Sequence, residues 1–241
     1  MAIISTKAIV ISTIKYSDTS LIVRLYTKEV GLVSYLLKGI LKSKKGKLRT
    51  AYFQPLTQLS IITSHQEKRN LQTLKEAQVI HVYESIHTSV VKQSIVLFLS
   101  EILTSAIQEE ENNTLLYEYL ESSLIWFDSH EQISNFHLLF LLNLTKFLGF
   151  YPDVSQSNKN GFHLREGFFT DDLQDKEVIK GTEINQFKKL LGINFDTIEY
   201  MNFSKTERQR LLQTLIRYFE LHLGGFRTPR SLAVLETVFS K

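Results

Sequence analysis

Over the first 80 residues apolar positions come in short runs with a period near two, and beyond residue 90 they recur every three or four. Residues 7–14, KAIVISTI, are β-branched and predict a strand closed by a turn at YSDTS, 16–20. A second strand is expected at 21–27, LIVRLYT, then a turn at 28–31 with Gly31 able to take positive φ, then a third strand over 32–40. Alternation at 56–63 predicts a fourth strand, and 71–82 supplies a fifth. Five short antiparallel strands, with turns about ten residues apart, have the size of an OB-fold barrel.

The period then changes. Val91, Ile95, Phe98, Ile102 and Ala106 mark one helical face, and EEENN at 109–113 breaks the pattern. Thr114 is placed to cap the next helix, which runs through Leu115, Tyr119, Leu120 and Ile125 to Phe127. From 133 to 149 apolar residues surround the axis, so this helix is expected to be buried and to end at Gly149, with Pro152 barring its continuation. Residues 153–181 are irregular, with a small hairpin expected in GFHLREGFF around Glu166 and Gly167. Short and long helices follow at 182–191 and 206–223, the second with Leu211, Leu215, Ile216 and Phe219 inward. Thr228 and Pro229 then suit the cap and first position of a last helix reaching Phe239. The pattern predicts an α+β protein: a barrel domain over 1–82 and an α-helical domain over 83–241 with an irregular insert at 153–181.

Charge adds the first chemical information. The net +3 divides into +9 over 1–80, −10 over 81–204 and +4 over 205–241. Six cations, Lys38, Lys42, Lys44, Lys45, Lys47 and Arg49, stand within a dozen positions, and no acidic residue lies between Glu29 and Glu67. Held on β structure, such a segment suits a polyanion. Arg24 and Arg69 are candidates from neighbouring elements, and Tyr16, Tyr35, Tyr52 and Phe53 are either base-stacking platforms or barrel core.

Other chemistries are disfavoured. Gly39 to Gly46-Lys47 has six intervening residues where a P-loop needs four, and Leu48 follows where Ser or Thr should, so no ATP site is expected. There is no cysteine, hence no disulfide and no thiolate metal site. His81 with His87 and His130 with His137 lack a companion metal motif. No Gly-x-Ser-x-Gly elbow occurs. No catalysis, metal or cofactor is expected, and no membrane span or signal peptide.

The barrel opening KAIVISTIKYSDTSLIVRLYTKEVGLVSYLLKGILKSKK, the segment FLGFYPD at 147–153 and the ending HLGGFRTPRSL at 222–232 together resemble the RecO family of bacterial recombination mediators. The resemblance implies an OB-fold followed by a helical domain, and non-catalytic action in DNA repair. It implies binding of single-stranded and double-stranded DNA, annealing of complementary strands, work with RecR and loading of recombinase, in a cytoplasmic, nucleoid-associated protein. Many members carry a zinc-binding cysteine cluster after the Leu-Gly-Tyr-x-Pro-Asp-like segment, so here the insert is expected to be a metal-free remnant held by Phe162, Leu164, Phe168 and Phe169. The family also binds the acidic tail of single-stranded-DNA-binding protein on its helical domain. That makes Arg210, Arg217, Arg227, Arg230 and Lys146 candidates for a peptide pocket, against a plainer reading in which the arginines cap helices and pair with Glu207 and Glu220. Two alternatives from the residues themselves stay open: an RNA-binding OB module, and a protein-interaction module without DNA binding.

Overall fold

The structure is a computed structural model and describes residues 2–42, 48–66, 69–108 and 112–239. Contacts divide the chain into two compact units, 1–128 and 129–241. The change from strand to helix comes earlier, between the end of the fifth strand at Val79 and the first helix at Val90.

The first unit is built on an antiparallel sheet of β1 (Ala2–Lys15), β2 (Leu21–Thr27), β3 (Gly31–Leu37), β4 (Gln58–His65) and β5 (Thr73–Val79), in the order β3-β2-β1-β4-β5. β1 starts earlier than its apolar run, because its first half pairs with β4 while its second half pairs with β2. Its register slips between Val10 and Ser12, a bulge that bends the strand between its two partners. The two edge strands then meet, since Leu36 N–H donates to Gln72 O at 3.1 Å and Gln72 N–H to Ser34 O at 2.8 Å. This parallel bridge joins the ends of the sheet in the order of an OB-fold. Alternate residues point inward, so Val10, Val23, Leu25, Tyr35, Leu59 and Ile61 fill the barrel. Leu56, expected to open β4, instead takes φ 59° in a buried turn whose N–H donates to Val10 O at 2.8 Å.

Two helices complete this unit, α1 (Val90–Ala106) and α2 (Thr114–Ser129). Ser89 caps α1, and α1 packs on β1, with Ser100 Oγ donating to Ile11 O at 2.6 Å. Asn113, not Thr114, caps α2, because its side-chain oxygen accepts from Leu116 N–H at 3.0 Å. The buried face of α2 is Leu116, Tyr117, Leu120, Leu124 and Phe127, while Leu115 and Ile125 are exposed. LLYEYL is apolar on too many sides for periodicity to choose the buried face. Asp128 binds the connection into α1, accepting from the N–H groups of Glu84, Ser85 and Ile86 at 2.8 to 3.0 Å. Burial pushes its carboxyl up, but these donors and the Ser85 hydroxyl together outweigh that and hold it below the usual value. Buried Lys92 donates to Ser85 Oγ and, at 2.8 Å, to Asp128 O.

The second unit contains α3 (Phe136–Phe147), α4 (Thr182–Leu191), α5 (Lys205–His222) and α6 (Leu232–Val238). α3 is buried along nearly its whole length and ends at Gly149, φ 83°, with Phe150 N–H returning to Thr145 O at 3.1 Å. The expected hairpin forms from β6 (Gly161–His163) and β7 (Phe168–Thr170), and β8 (Val178–Lys180), which sequence did not signal, adds a third strand on β6. Phe162, Leu164 and Phe169 are buried, but Phe168 is exposed and does not hold the insert. Ser204 and Glu207 form a capping box on α5. α6 starts at Leu232, later than Pro229, because the Thr228 hydroxyl is bonded to Glu220 and not to the backbone of a first turn.

Candidate nucleic-acid interface

The basic segment is tied to the barrel at both described ends. Leaving β3, the chain turns at Gly39, φ 69°, whose N–H donates to Ser20 Oγ at 3.3 Å, and Leu41 N–H donates to Thr19 O at 3.0 Å. The start of the segment, with Lys38 and Lys42, is thereby fastened to the β1–β2 turn. At the other end Arg49 precedes a 3₁₀ turn, Thr50–Phe53, in which Phe53 is buried in the barrel and its carbonyl accepts from Thr13 Oγ1 at 2.8 Å. Lys44, Lys45 and Lys47 lie outside the described residues.

Cations on the first unit fall into two groups. Lys7 and Lys28 each reach a carboxylate of α2, Glu121 and Glu118 respectively, both at 2.9 Å. The Glu118 hydrogen bond holds the Lys28 ammonium above its ordinary pKa. Lys38, Lys42, Arg49 and Arg69 are exposed, and among the described residues none of them has a carboxylate partner. Lys75, exposed on β5, belongs with them and was not singled out in the sequence. Uncompensated surface cations raise the positive potential that a polyanion would meet on this unit.

Two expected participants are placed elsewhere. Tyr35 is fully buried in the barrel core, and burial pushes its hydroxyl up to about 12, so it cannot stack on a base. Arg24 is half-buried and donates to Thr104 O of α1 at 3.4 Å, because the outer face of β2 is covered there by the helix. Phe53 is core and Tyr52 packs against it, which leaves Tyr16 as the exposed aromatic of the four named, at 62% exposure on the β1–β2 turn beside the basic segment.

Arg69 lies on the β4–β5 loop, which is held by a residue the sequence gave no reason to notice. The buried Gln72 amide accepts from Gln66 N–H at 2.9 Å and donates to Gln66 O at 2.8 Å and to Arg69 O at 2.5 Å. A polar residue in a turn reads as solvent-facing, so no local signal could have found it.

In the second unit the five peptide-pocket candidates do not converge. Arg210 and Arg217 line one cleft of about 520 Å³, together with Thr206, Gln209, Gln213 and Glu183, while Lys146, Arg227 and Arg230 do not line it. Arg217 is paired with Glu177 at 2.8 Å and Glu220 at 3.4 Å, and its hydrogen bond holds the Glu177 carboxyl down. Glu236 lines the cleft as well, so exposed Arg210 is set there against two carboxylates, Glu183 and Glu236. Lys146 stands over the Tyr151 ring at 4.7 Å, its pKa lowered by partial burial. Sequence reading also passed over the surroundings of His137, buried on α3, stacked on Phe239 and held down to about pKa 3 by burial and, secondly, by Arg208. Among the described residues no group of three or more His, Asp or Glu is arranged to hold a metal ion. No described helix is long and apolar enough to cross a membrane.

Residues 1–83 match the family model described as Recombination protein O N terminal, and residues 87–232 the one described as Recombination protein O C terminal. A protein of Christiangramia forsetii named DNA repair protein RecO is 46% identical over 237 residues, covering 98% of this chain and 99% of its own length. The protein of the same name from Flavobacterium psychrophilum is also 46% identical over 237 residues, with the same coverage. That from Porphyromonas gingivalis is 29% identical over 246 residues, again across nearly both lengths.

Proposed function

The chain belongs to the RecO family of DNA repair proteins, and we propose that it serves repair as a non-catalytic recombination mediator. In this reading it binds single-stranded and double-stranded DNA through the barrel and anneals complementary strands. It then works with RecR to load recombinase where single-stranded-DNA-binding protein coats the DNA. The observation that carries the reading is that Lys38, Lys42, Arg49 and Arg69 are exposed on the barrel unit without carboxylate partners among the described residues, with the basic segment fastened to the barrel at both described ends. Phosphates on these cations would release counterions and lower the repulsion between two strands brought to one surface. Lys44, Lys45 and Lys47, outside the described residues, are proposed as further phosphate contacts, and exposed Tyr16 as the base-stacking residue.

The acidic tail of single-stranded-DNA-binding protein is assigned to the α5 cleft, where Arg210 would be its main cation and Leu164 an apolar contact, with the carboxylates Glu183 and Glu236 also in the lining. The function is exercised in the cytoplasm at the nucleoid. The test is an annealing assay with two complementary oligonucleotides, comparing the natural chain with one in which Lys42, Lys44, Lys45 and Lys47 are alanine. Loss of annealing in a still-folded variant is expected. Undiminished annealing and binding would overturn the reading.

A further inference from the structure

The barrel is closed by one bridge, and beyond it the two strands part. Ser34 C=O and Leu36 N–H take the backbone of Gln72, and strand alternation turns the N–H and C=O of Leu32 to the same side, past the last bridging bond. There a cleft of about 250 Å³ opens, lined by Val30, Leu32 and Ser34 on one side and His65, Arg69 and Asn70 on the other. On the outer wall the Gln72 side chain makes three hydrogen bonds to the backbone of Gln66 and Arg69.

We propose that this cleft receives one base of single-stranded DNA, with the Arg69 guanidinium on the adjoining phosphate. The inference rests on the nucleic-acid reading of the barrel given above and adds to it a subsite. The volume is below the roughly 300–1,000 Å³ of pockets for drug-sized ligands and suits a single heterocycle. The lining matches one as well: Val30 and Leu32 supply apolar surface for a ring. Asn70, His65 and the open edge of β3 supply donors and acceptors for a base edge. Arg69 is exposed and has no carboxylate partner among the described residues. Backbone already hydrogen-bonded at Gln66 and Arg69 has less freedom to lose on binding. A base stacked in a duplex cannot enter, so the cleft separates single strands from double strands.

The test uses the full chain and an oligothymidylate in which single positions carry photoreactive 4-thiothymine. Cross-links are mapped by mass spectrometry, and binding is measured in parallel for Arg69→Ala and Ser34→Leu. Ser34→Leu fills the cleft without touching charge and keeps the backbone bond to Gln72. It should weaken single-strand binding about tenfold with an unchanged salt slope, and leave duplex binding within about twofold. Arg69→Ala should lower the salt slope by about 0.7, and cross-links should fall on the segments flanking Ser34 and Asn70. Suppose instead that the natural chain binds single strands and the basic-segment variant weakens that binding. If Ser34→Leu then changes nothing and cross-links avoid both segments, the subsite is refuted while the wider reading stands. No binding by the natural chain would sink both.

Discussion

The cations of the first unit teach by contrast. Lys7 and Lys28 lie as close to the barrel as Lys38 and Arg49 do, yet α2 brings Glu121 and Glu118 onto the first pair, and no described carboxylate reaches the second. A count of charge along the chain treats all four alike. Tertiary structure divides them into charge that is compensated within the fold and charge left for a ligand, and the buried Asp128 carboxylate, held by three backbone N–H donors, stands at the far end of the first class.

The contrast can be broken most severely at its buried end. Asp128→Ala removes the acceptor of three backbone N–H groups and should destabilise the chain by about 3 kcal/mol, read as a lower denaturation midpoint. Because the Asp128 pKa is held below its unfolded value, its contribution is present above about pH 4 and is lost as pH falls through the depressed folded value. Asp128→Asn should accordingly flatten that acid limb. Next in size is the ligand-facing class: alanine at Lys38, Lys42, Lys44, Lys45, Lys47 and Arg49 together should lower single-strand affinity about a hundredfold near physiological salt, with stability unchanged. His137 gives a third effect of opposite logic to a salt bridge. Its folded pKa, about 3, lies below the unfolded value near 6.5, so the unfolded chain binds the extra proton. Stability should fall as pH drops from about 6.5 towards 3, by up to ~1.4 kcal/mol per unit, and His137→Phe should remove that slope in denaturant titrations at pH 7, 6 and 5. The smallest effect belongs to the compensated pairs: Lys7→Ala with Lys28→Ala should leave the denaturation midpoint nearly unmoved and DNA affinity within about twofold.

Much of this was legible before any coordinates. The span of β2 and that of α4 match the expected 21–27 and 182–191 to the residue, since each is bounded by turn residues that permit one reading. Tyr35 could have been assigned to the core, because in an alternating strand it shares a face with Val33 and Leu37. Its closeness to the basic segment drew attention the other way. Arg24 could not have been excluded locally: alternation does put it outside the barrel, and only the packing of α1 covers that face. The partners of Lys7 and Lys28 lie about ninety or more positions away in the chain, a separation at which no pattern speaks. Gln72, which closes the barrel with its backbone and bonds Gln66 and Arg69 with its side chain, was invisible because a polar residue in a turn reads as solvent-facing.

The division of charge is tested most directly by three plots of log affinity for an oligothymidylate against log salt concentration. They compare the natural chain, a variant with alanine at Lys38, Lys42, Arg49 and Arg69, and a variant with alanine at Lys7 and Lys28. The account predicts that the first variant loses roughly 0.7 of slope for each phosphate contact removed and that the second keeps the natural slope. Equal loss in both variants, or a natural slope retained in the first, would contradict it.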